Sequence, residues 1–344
     1  WTRVHVTVSD EGDDMTVVQW AIVGTGGIAR RTLGDLRLIP EAEIVAVCSR
    51  SQQSADAFAA EWGLGAAYSD FTALCADDTV DAIYVGTPHG THFRYASEAL
   101  RAGKHVLCEK PLTMTAAEAR ELRALAEENG VFLMEAMWMK FSPSMRRALE
   151  IVESGTIGTP MFVQAGLGYP VPPDGPRRFW VAELGGGALF DMGVYTIALA
   201  HMFLGVPDAV STVGEIRPDD VDLYESYTLS YANGAVAQLT TSITYAIPPR
   251  GSIGGTTGSI AFGEMLFAPR SLRLMTGTPP QPPHVEDIDF AQEGAGYVPM
   301  FRAACEAILA GEREHPIHPV SATIEVLETM ELVRSQLIAQ RDAR

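Results

Sequence analysis

Cysteine is scarce in this sequence and falls at no useful spacing: Cys48, Cys75, Cys108 and Cys305 make neither a metal-ligand pattern nor a redox pair. Cys48 and Cys108 sit in apolar runs, which reads as buried free thiols in a reducing compartment. Positive charge is also in short supply. The chain has 25 basic residues against 43 acidic ones, a formal charge of −18, and this excludes a nucleic-acid surface built on clustered Lys and Arg. Long apolar runs are missing too. The longest charge-free one, residues 193–206, is too short to span a bilayer, and no secretory leader is visible. What is there is core-forming material, 47% apolar in 344 residues. That describes a soluble, acidic, cytoplasmic chain with enough length for two domains at about 150 residues each.

Residues 1–15 are polar and acidic and are expected to be a disordered or tag-like extension. Residues 16–138 then alternate strand and helix. Apolar runs at 17–23 (VVQWAIV), 44–48 (IVAVC), 81–85 (DAIYV), 105–108 (HVLC) and 131–134 (VFLM) read as strands buried on both faces. Between them lie helical segments with recognisable punctuation. Gly63 and Gly103 stop two of them, and Thr115 with Glu118 forms a capping box for a third that ends at Asn129-Gly130. Repeated β-α units imply an α/β Rossmann domain, a doubly wound parallel sheet.

Gly24-Thr25-Gly26-Gly27-Ile28-Ala29 follows the first strand and opens the first helix, where a dinucleotide fold needs it. Gly24 suits a tight turn, Gly26 a close backbone approach to pyrophosphate, and Ala29 close helix packing, although such a turn alone occurs by chance. At the end of the second strand, Cys48-Ser49-Arg50-Ser51 carries no acid to hold a ribose 2′-hydroxyl. Arg50 can pair with a 2′-phosphate and the Ser49 hydroxyl can donate to it, which favours NADP over NAD.

Two further clusters carry chemistry. Glu109-Lys110-Pro111 follows the fourth strand of this reading, at the carboxyl end where ligands bind in open sheets. Asp191 and Tyr195, in a glycine run entering a helix, are four apart and share one face. Oxidising an alcohol requires a group to take the hydroxyl proton. A Tyr does so near neutrality only with a cation nearby, and Lys110 is the candidate. Asp191 would orient the pair. His89-x-x-His92 and His315-x-x-His318 lack a partner acid or Cys cluster, and Pro316 breaks the helix the second pair would need, so no metal is expected.

Taken together, GTGGIAR, TPHGTH, ALRAGKHVLCEKPL, MEAMW and GGGALFDMGVY resemble the Gfo/Idh/MocA oxidoreductase family over everything after Met15. Within it the chain looks most similar to the dimeric dihydrodiol dehydrogenase group, which includes NADP-dependent D-xylose dehydrogenases. VFLMEAMWMKFSP and the tail motif Gly294-Ala295-Gly296-Tyr297 fit that group. The resemblance implies that Lys110 contacts nicotinamide or acts in catalysis, with Asp191 and Tyr195 as the acid/base pair. Many relatives, inositol dehydrogenases among them, carry His in place of Tyr195, so an inositol substrate is disfavoured. Thr87, Pro88, His89 and His92 are implied to line the cofactor cleft, and Trp138, Arg178, Phe179 and Trp180 to border the substrate. The implied activity is NADP-dependent hydride transfer at a hydroxyl carbon of a small sugar, polyol or cyclic trans-diol. Alternatives are a glucose-fructose-type transhydrogenase or ketosugar reductase with tightly held NADP, or a cofactor-sensing regulator without catalysis.

Residues 139–344 read as an α+β domain with a large open, mostly antiparallel sheet. Strand-like runs at 161–167, 209–216, 224–231, 234–244, 258–262 and 271–275 follow a helix begun by Ser142-Pro143, and Asn233-Gly234 marks a hairpin. Residues 278–283 form a Pro-rich loop, and 297–310 and 321–340 are closing helices. Family members pair such sheets, which predicts a homodimer or homotetramer through the open sheet.

Overall fold

The computed structural model describes residues 17–277, 280 and 282–344. The expected extension at 1–15, and positions 278, 279 and 281 of the Pro-rich loop, lie outside the described residues.

The first sheet has six strands in the order β3-β2-β1-β4-β5-β6, all parallel. They are β1 (Val18–Val23), β2 (Ala42–Cys48), β3 (Ala66–Tyr68), β4 (Ala82–Val85), β5 (His105–Cys108) and β6 (Leu133–Glu135). Helices α1 (Gly27–Leu36), α2 (Gln52–Trp62), α3 (Phe71–Cys75), α4 (His92–Arg101) and α5 (Ala116–Asn129) connect them. Local chemistry sets the ends. Ser51 caps α2, which stops at left-handed Gly63, and both halves of the Thr115–Glu118 capping box form before α5 closes on left-handed Gly130. The strand at 81–85 is fourth in the chain rather than third, because β3 and α3 precede it. These are three and five residues long, too short to show a period. The strand order reverses between β1 and β4, and this switch point opens a crevice at the carboxyl ends of both strands.

The second sheet has eight strands, β14-β13-β12-β11-β7-β10-β9-β8. Its members are β7 (Pro160–Gly168), β8 (Ala209–Ile216), β9 (Asp222–Ser230), β10 (Val236–Ser242), β11 (Ile247–Gly255), β12 (Gly258–Phe262), β13 (Ser271–Thr276) and β14 (His284–Asp289). Only the β7–β10 pair is parallel. The Asn233-Gly234 turn joins β9 to β10, with Gly234 at φ 86°. Strands β11 and β14 were not legible in the sequence. Register jumps between Ile247 and Arg250, so Pro248 and Pro249 are stepped over rather than paired. Strand β14 is an exposed acidic edge (HVEDID), the composition that keeps an edge from pairing further. The opposite edge, β8, is closed by side chains of α9 (Val320–Asp342). Gln336 accepts from Thr212 N–H at 2.8 Å and donates to Val210 O at 2.7 Å, and Gln340 donates to Thr212 O at 2.6 Å.

Helices α6 (Pro143–Glu153) and α7 (Val194–Leu204) pack on the second sheet, α7 against β7 and β10 and α6 against β13 and α7. Residues 182–204 are long and apolar enough in composition to cross a membrane, yet 83% of their apolar 18-residue window is buried inside the fold, so this is a core helix. Helix α8 (Val298–Leu309) returns to the first sheet, where Phe301 packs edge-on to Trp20 (6.3 Å between ring centroids) and against Tyr84 (5.5 Å).

Candidate active site

The crevice at the strand-order reversal is a cleft of ≈ 490 Å³, with walls from both halves of the chain. Its floor is the glycine turn. Gly24 lies at φ 102°, and a Cβ there would come within 2.7 Å of Gly86 O, so only glycine makes this approach. Gly26 precedes α1 without any side-chain cap, and nothing lies within 4 Å of a Cβ built on Gly26 or Gly27. The first N–H groups of α1 therefore face open space with the positive end of the helix behind them, a cradle that fits a pyrophosphate. Ala29 is fully buried against the sheet. Thr25 Oγ1 and Ser49 Oγ are 3.1 Å apart, which joins this turn to the end of β2. Arg50, the next residue, is exposed, and residues 49–51 carry no acid.

Gly86, Thr87, Pro88 and His89 form the next wall. His89 Nδ1 lies 3.0 Å from Gly185 O. Burial, with Lys110 and His92 adding, pulls its pKa down to about 3, so the imidazole is neutral and donates from Nδ1. His92 does not line the cleft. It is fully buried, with its two ring nitrogens 2.8 Å from Pro111 O and 2.8 Å from Thr87 O, and it ties two walls together from behind.

Lys110 leaves the end of β5 and reaches across to the glycine-run helix. Its Nζ donates to Asp191 O at 2.7 Å and lies 3.5 Å from Asp191 Oδ1. Asp191 also accepts from Arg178 at 2.8 Å and from Tyr169 Oη at 2.6 Å. Burial alone would raise this carboxyl's pKa, but Lys110 and Arg178 beside it outweigh that and hold it well below the usual range. Residues Leu189–Gly193 form a wide π-helical turn that runs into α7. Asp191 and Tyr195 both face the cleft across this junction.

Tyr195 Oη accepts a hydrogen bond from Trp138 Nε1 at 2.9 Å. Lys110 does not approach that oxygen as a depressing cation. Its ammonium lies over the ring face, 4.8 Å from the centroid. Burial first, then Glu109 and Tyr297, push the phenol well above its ordinary pKa. The expectation of a lowered Tyr pKa is thereby corrected: at neutral pH Tyr195 carries its proton. Glu109 is buried too, accepting from Tyr84 Oη at 2.6 Å, and burial raises its pKa.

Trp138 and Arg178 line the cleft as expected. Phe179 is buried beneath the Arg178 guanidinium, 3.8 Å from it. Trp180 turns away, donating to Pro172 O at 2.8 Å, because the turn at 177–179 sends successive side chains in different directions. Sequence reasoning missed Arg31, Tyr169, Phe267 and Tyr297 as lining residues. Tyr169 had one signal, its place at the end of strand β7. Tyr297 had another, the Gly294–Tyr297 motif. There the buried carboxylate of Asp35 accepts from Ala295 N–H and Tyr297 N–H, each at 2.7 Å, and Tyr297 stacks on Trp138 at 4.5 Å.

Glu135, at the end of β6, was also missed. It accepts from Leu112 N–H at 2.9 Å, from Thr323 Oγ1 at 3.0 Å and from His318 at 2.7 Å, fixing the Lys110–Leu112 turn from below. His318 thus serves a carboxylate, while His315 Nδ1 accepts from Ile317 N–H at 3.1 Å.

Known proteins resemble this chain in sequence and fold. The family model GFO_IDH_MocA, an oxidoreductase family with an NAD-binding Rossmann fold, matches residues 18–137. The GFO/IDH/MocA C-terminal domain matches residues 145–261. The chain is 33% identical to trans-1,2-dihydrobenzene-1,2-diol dehydrogenase of Mus musculus over 328 residues, 93% of this chain and 97% of that one. It is 37% identical over 227 residues to D-xylose 1-dehydrogenase (NADP(+)) 2 of Haloferax volcanii, covering 65% of this chain and 69% of that one. A solved 3-ketoreductase from Actinomadura kijaniata, in complex with NADP and TDP-benzene, superposes with a TM-score of 0.82 at 31% identity. That match covers 93% of this chain and 98% of the ketoreductase. Likeness of this extent spans both sheets and the cleft between them, and the chain belongs to the GFO/IDH/MocA oxidoreductase family.

Proposed function

We propose that this protein is an NADP-dependent oxidoreductase acting at a hydroxyl carbon of a small sugar, polyol or cyclic trans-diol, with Tyr195 as the proton-transferring group. One observation carries the reading: the Tyr195 hydroxyl, fixed by Trp138 at 2.9 Å, shares a cleft with Lys110, Asp191 and the open N-terminus of α1. Bound NADP supplies the hydride donor or acceptor. The chain's own residues do the rest. Gly24 and Gly26 admit the pyrophosphate, while Ser49 and Arg50 receive the 2′-phosphate. Trp138 orients the phenol. Lys110 and Arg178 keep Asp191 ionised, and this carboxylate holds Lys110 over the Tyr195 ring.

A protonated phenol is an acid before it is a base, which favours carbonyl reduction as the second reading, a ketosugar reductase. In that direction Tyr195 gives its proton to the oxygen as hydride reaches the carbon, and the C=O becomes CH–OH. In oxidation the same oxygen must first lose its proton, so that rate rises with pH while reduction stays level through neutrality. Tyr195→Phe is expected to lower kcat about 10²- to 10⁴-fold, with NADP affinity kept in a fluorescence titration. Wild-type turnover by this variant would remove Tyr195 from the mechanism. A panel of sugars, polyols and diols, with the matching ketones, assayed with NADP and NAD identifies substrate and direction.

The eight-stranded sheet turns one face outward, with Val213, Tyr245 and Met275 exposed around a groove lined by Gln164, Gln238 and Arg250. We assign this face to pairing with a second copy. Light scattering should give a dimer or tetramer mass, and a monomer at micromolar concentration would refute the assignment. The four free cysteines are all buried, which suits a reducing, cytoplasmic setting.

A further inference from the structure

Behind the Asp191 turn lies a pair of carboxyls with no part in the chemistry above. Asp222 and Glu225, on β9, are both fully buried. Neither has a salt-bridge partner among the described residues. Asp222 Oδ2 accepts from Leu189 N–H at 2.7 Å, at the first residue of the π-helical turn. Glu225 Oε1 accepts from Thr241 Oγ1. The remaining oxygens, Asp222 Oδ1 and Glu225 Oε2, are buried with no N–H or O–H donor among the described residues, and the charge of Asp222 bears directly on Glu225. Two ionised carboxylates offer only acceptors, so a bond between them requires a hydrogen on one. The approach is tight. Gly187 sits at φ 117°, and a Cβ there would fall 2.2 Å from Asp222 Oδ1.

We infer that Asp222 and Glu225 share one proton and together form a positioning pair that sets the Leu189–Gly193 turn, and with it Asp191 and Tyr195. Glu225 holds the proton, since burial and then the charge of Asp222 push its pKa well above the usual carboxyl range. Burial raises Asp222 too, but the Leu189 N–H at the start of a helix favours the anion there, so the negative charge stays on Asp222. The titratable groups nearest the pair are Tyr227, on the same strand and bonded to Thr196 of α7, and Tyr245 beyond β10. This pair carries the fold of the outward-facing sheet directly into the catalytic turn. It rests on the reading of Asp191 and Tyr195 given above.

Three measurements on the full-length protein test it. Glu225→Gln leaves an amide donor where the proton was, so kcat, KM and NADP affinity should stay within about twofold of wild type. Asp222→Asn moves the charge off the carboxyl that holds Leu189 N–H, and should lower kcat about tenfold with KM and NADP affinity nearly unchanged. Infrared spectra at neutral pH should contain a protonated-carboxyl band that disappears in Glu225→Gln. Equal kcat losses in both variants, an unaltered Asp222→Asn enzyme, or no such band in the wild type would each overturn the inference. The infrared band is read without turnover, so it separates failure of the shared proton from failure of Tyr195 as the acid.

Discussion

At single residues, the site contrasts groups whose charge is suppressed with groups whose charge is kept. Tyr195 and Glu109 are buried among like-charged or apolar neighbours and pushed toward their neutral forms. Asp191, equally buried, stays ionised only because Lys110 and Arg178 stand beside it. The three residues the sequence proposed for catalysis, Lys110, Asp191 and Tyr195, sit in motifs and do line the cleft. It misjudged how they interact, because whether an ammonium meets an oxygen or a ring face depends on side-chain geometry that spacing does not encode. Arg50 belongs to this scale as well. It is exposed just beyond β2, in a segment (49–51) without an acid. Arg50→Ala should weaken NADP binding about tenfold and leave NAD binding almost unchanged, because only the 2′-phosphate uses a guanidinium there. Equal losses for both dinucleotides in parallel titrations would argue that Arg50 acts on something else.

Elements expose the limits of reading by pattern. Strands β1, β2, β4 and β5 announce themselves as apolar runs, and α2 and α5 by their caps. Strand β11 does not, since its Pro and Gly residues argue against a strand until the register jump is known. The supports of the site were hidden for a different reason. Glu135, Asp35 and Asp222 act on residues far along the chain, and such contacts leave no local period. Asp35 gives the clearest test. Its carboxylate holds two backbone N–H groups of the Gly294–Tyr297 loop on α1. Asp35→Ala strands both, and should cost about 2–4 kcal/mol in denaturant unfolding while raising KM through loss of the Tyr297–Trp138 stack. A variant as stable as wild type would mean the loop is held by packing alone.

For the whole molecule, buried imidazoles govern the response to acid. His89 is drawn down to about 3, and His201 and His318 each to about 4, in every case chiefly by burial. A base whose folded pKa lies below its unfolded value of about 6.5 takes up a proton on unfolding between those two pH values. Stability from these groups is therefore complete above pH 6.5 and is lost as pH falls toward 4. Glu225 opposes this in part, because it holds its proton in the folded chain and releases it on unfolding. Six imidazoles held down by burial (His89, His92, His105, His201, His315 and His318) outnumber the three buried carboxyls held up (Glu109, Asp222 and Glu225), so unfolding near pH 5.5 takes up protons and stability rises with pH there. Urea midpoints measured from pH 5 to 7 should climb, and a flat profile would contradict buried neutral histidines.

Phe301, lodged against Trp20 and Tyr84, makes the nucleotide-binding half depend on residues far downstream of it in the sequence. Cutting the polypeptide after Trp138 would strip α8 from the sheet and bare the greasy socket it fills. Such a fragment should aggregate on its own, however complete its strand order, and become soluble only when the missing half is supplied beside it. The first sheet therefore settles only with α8 in place.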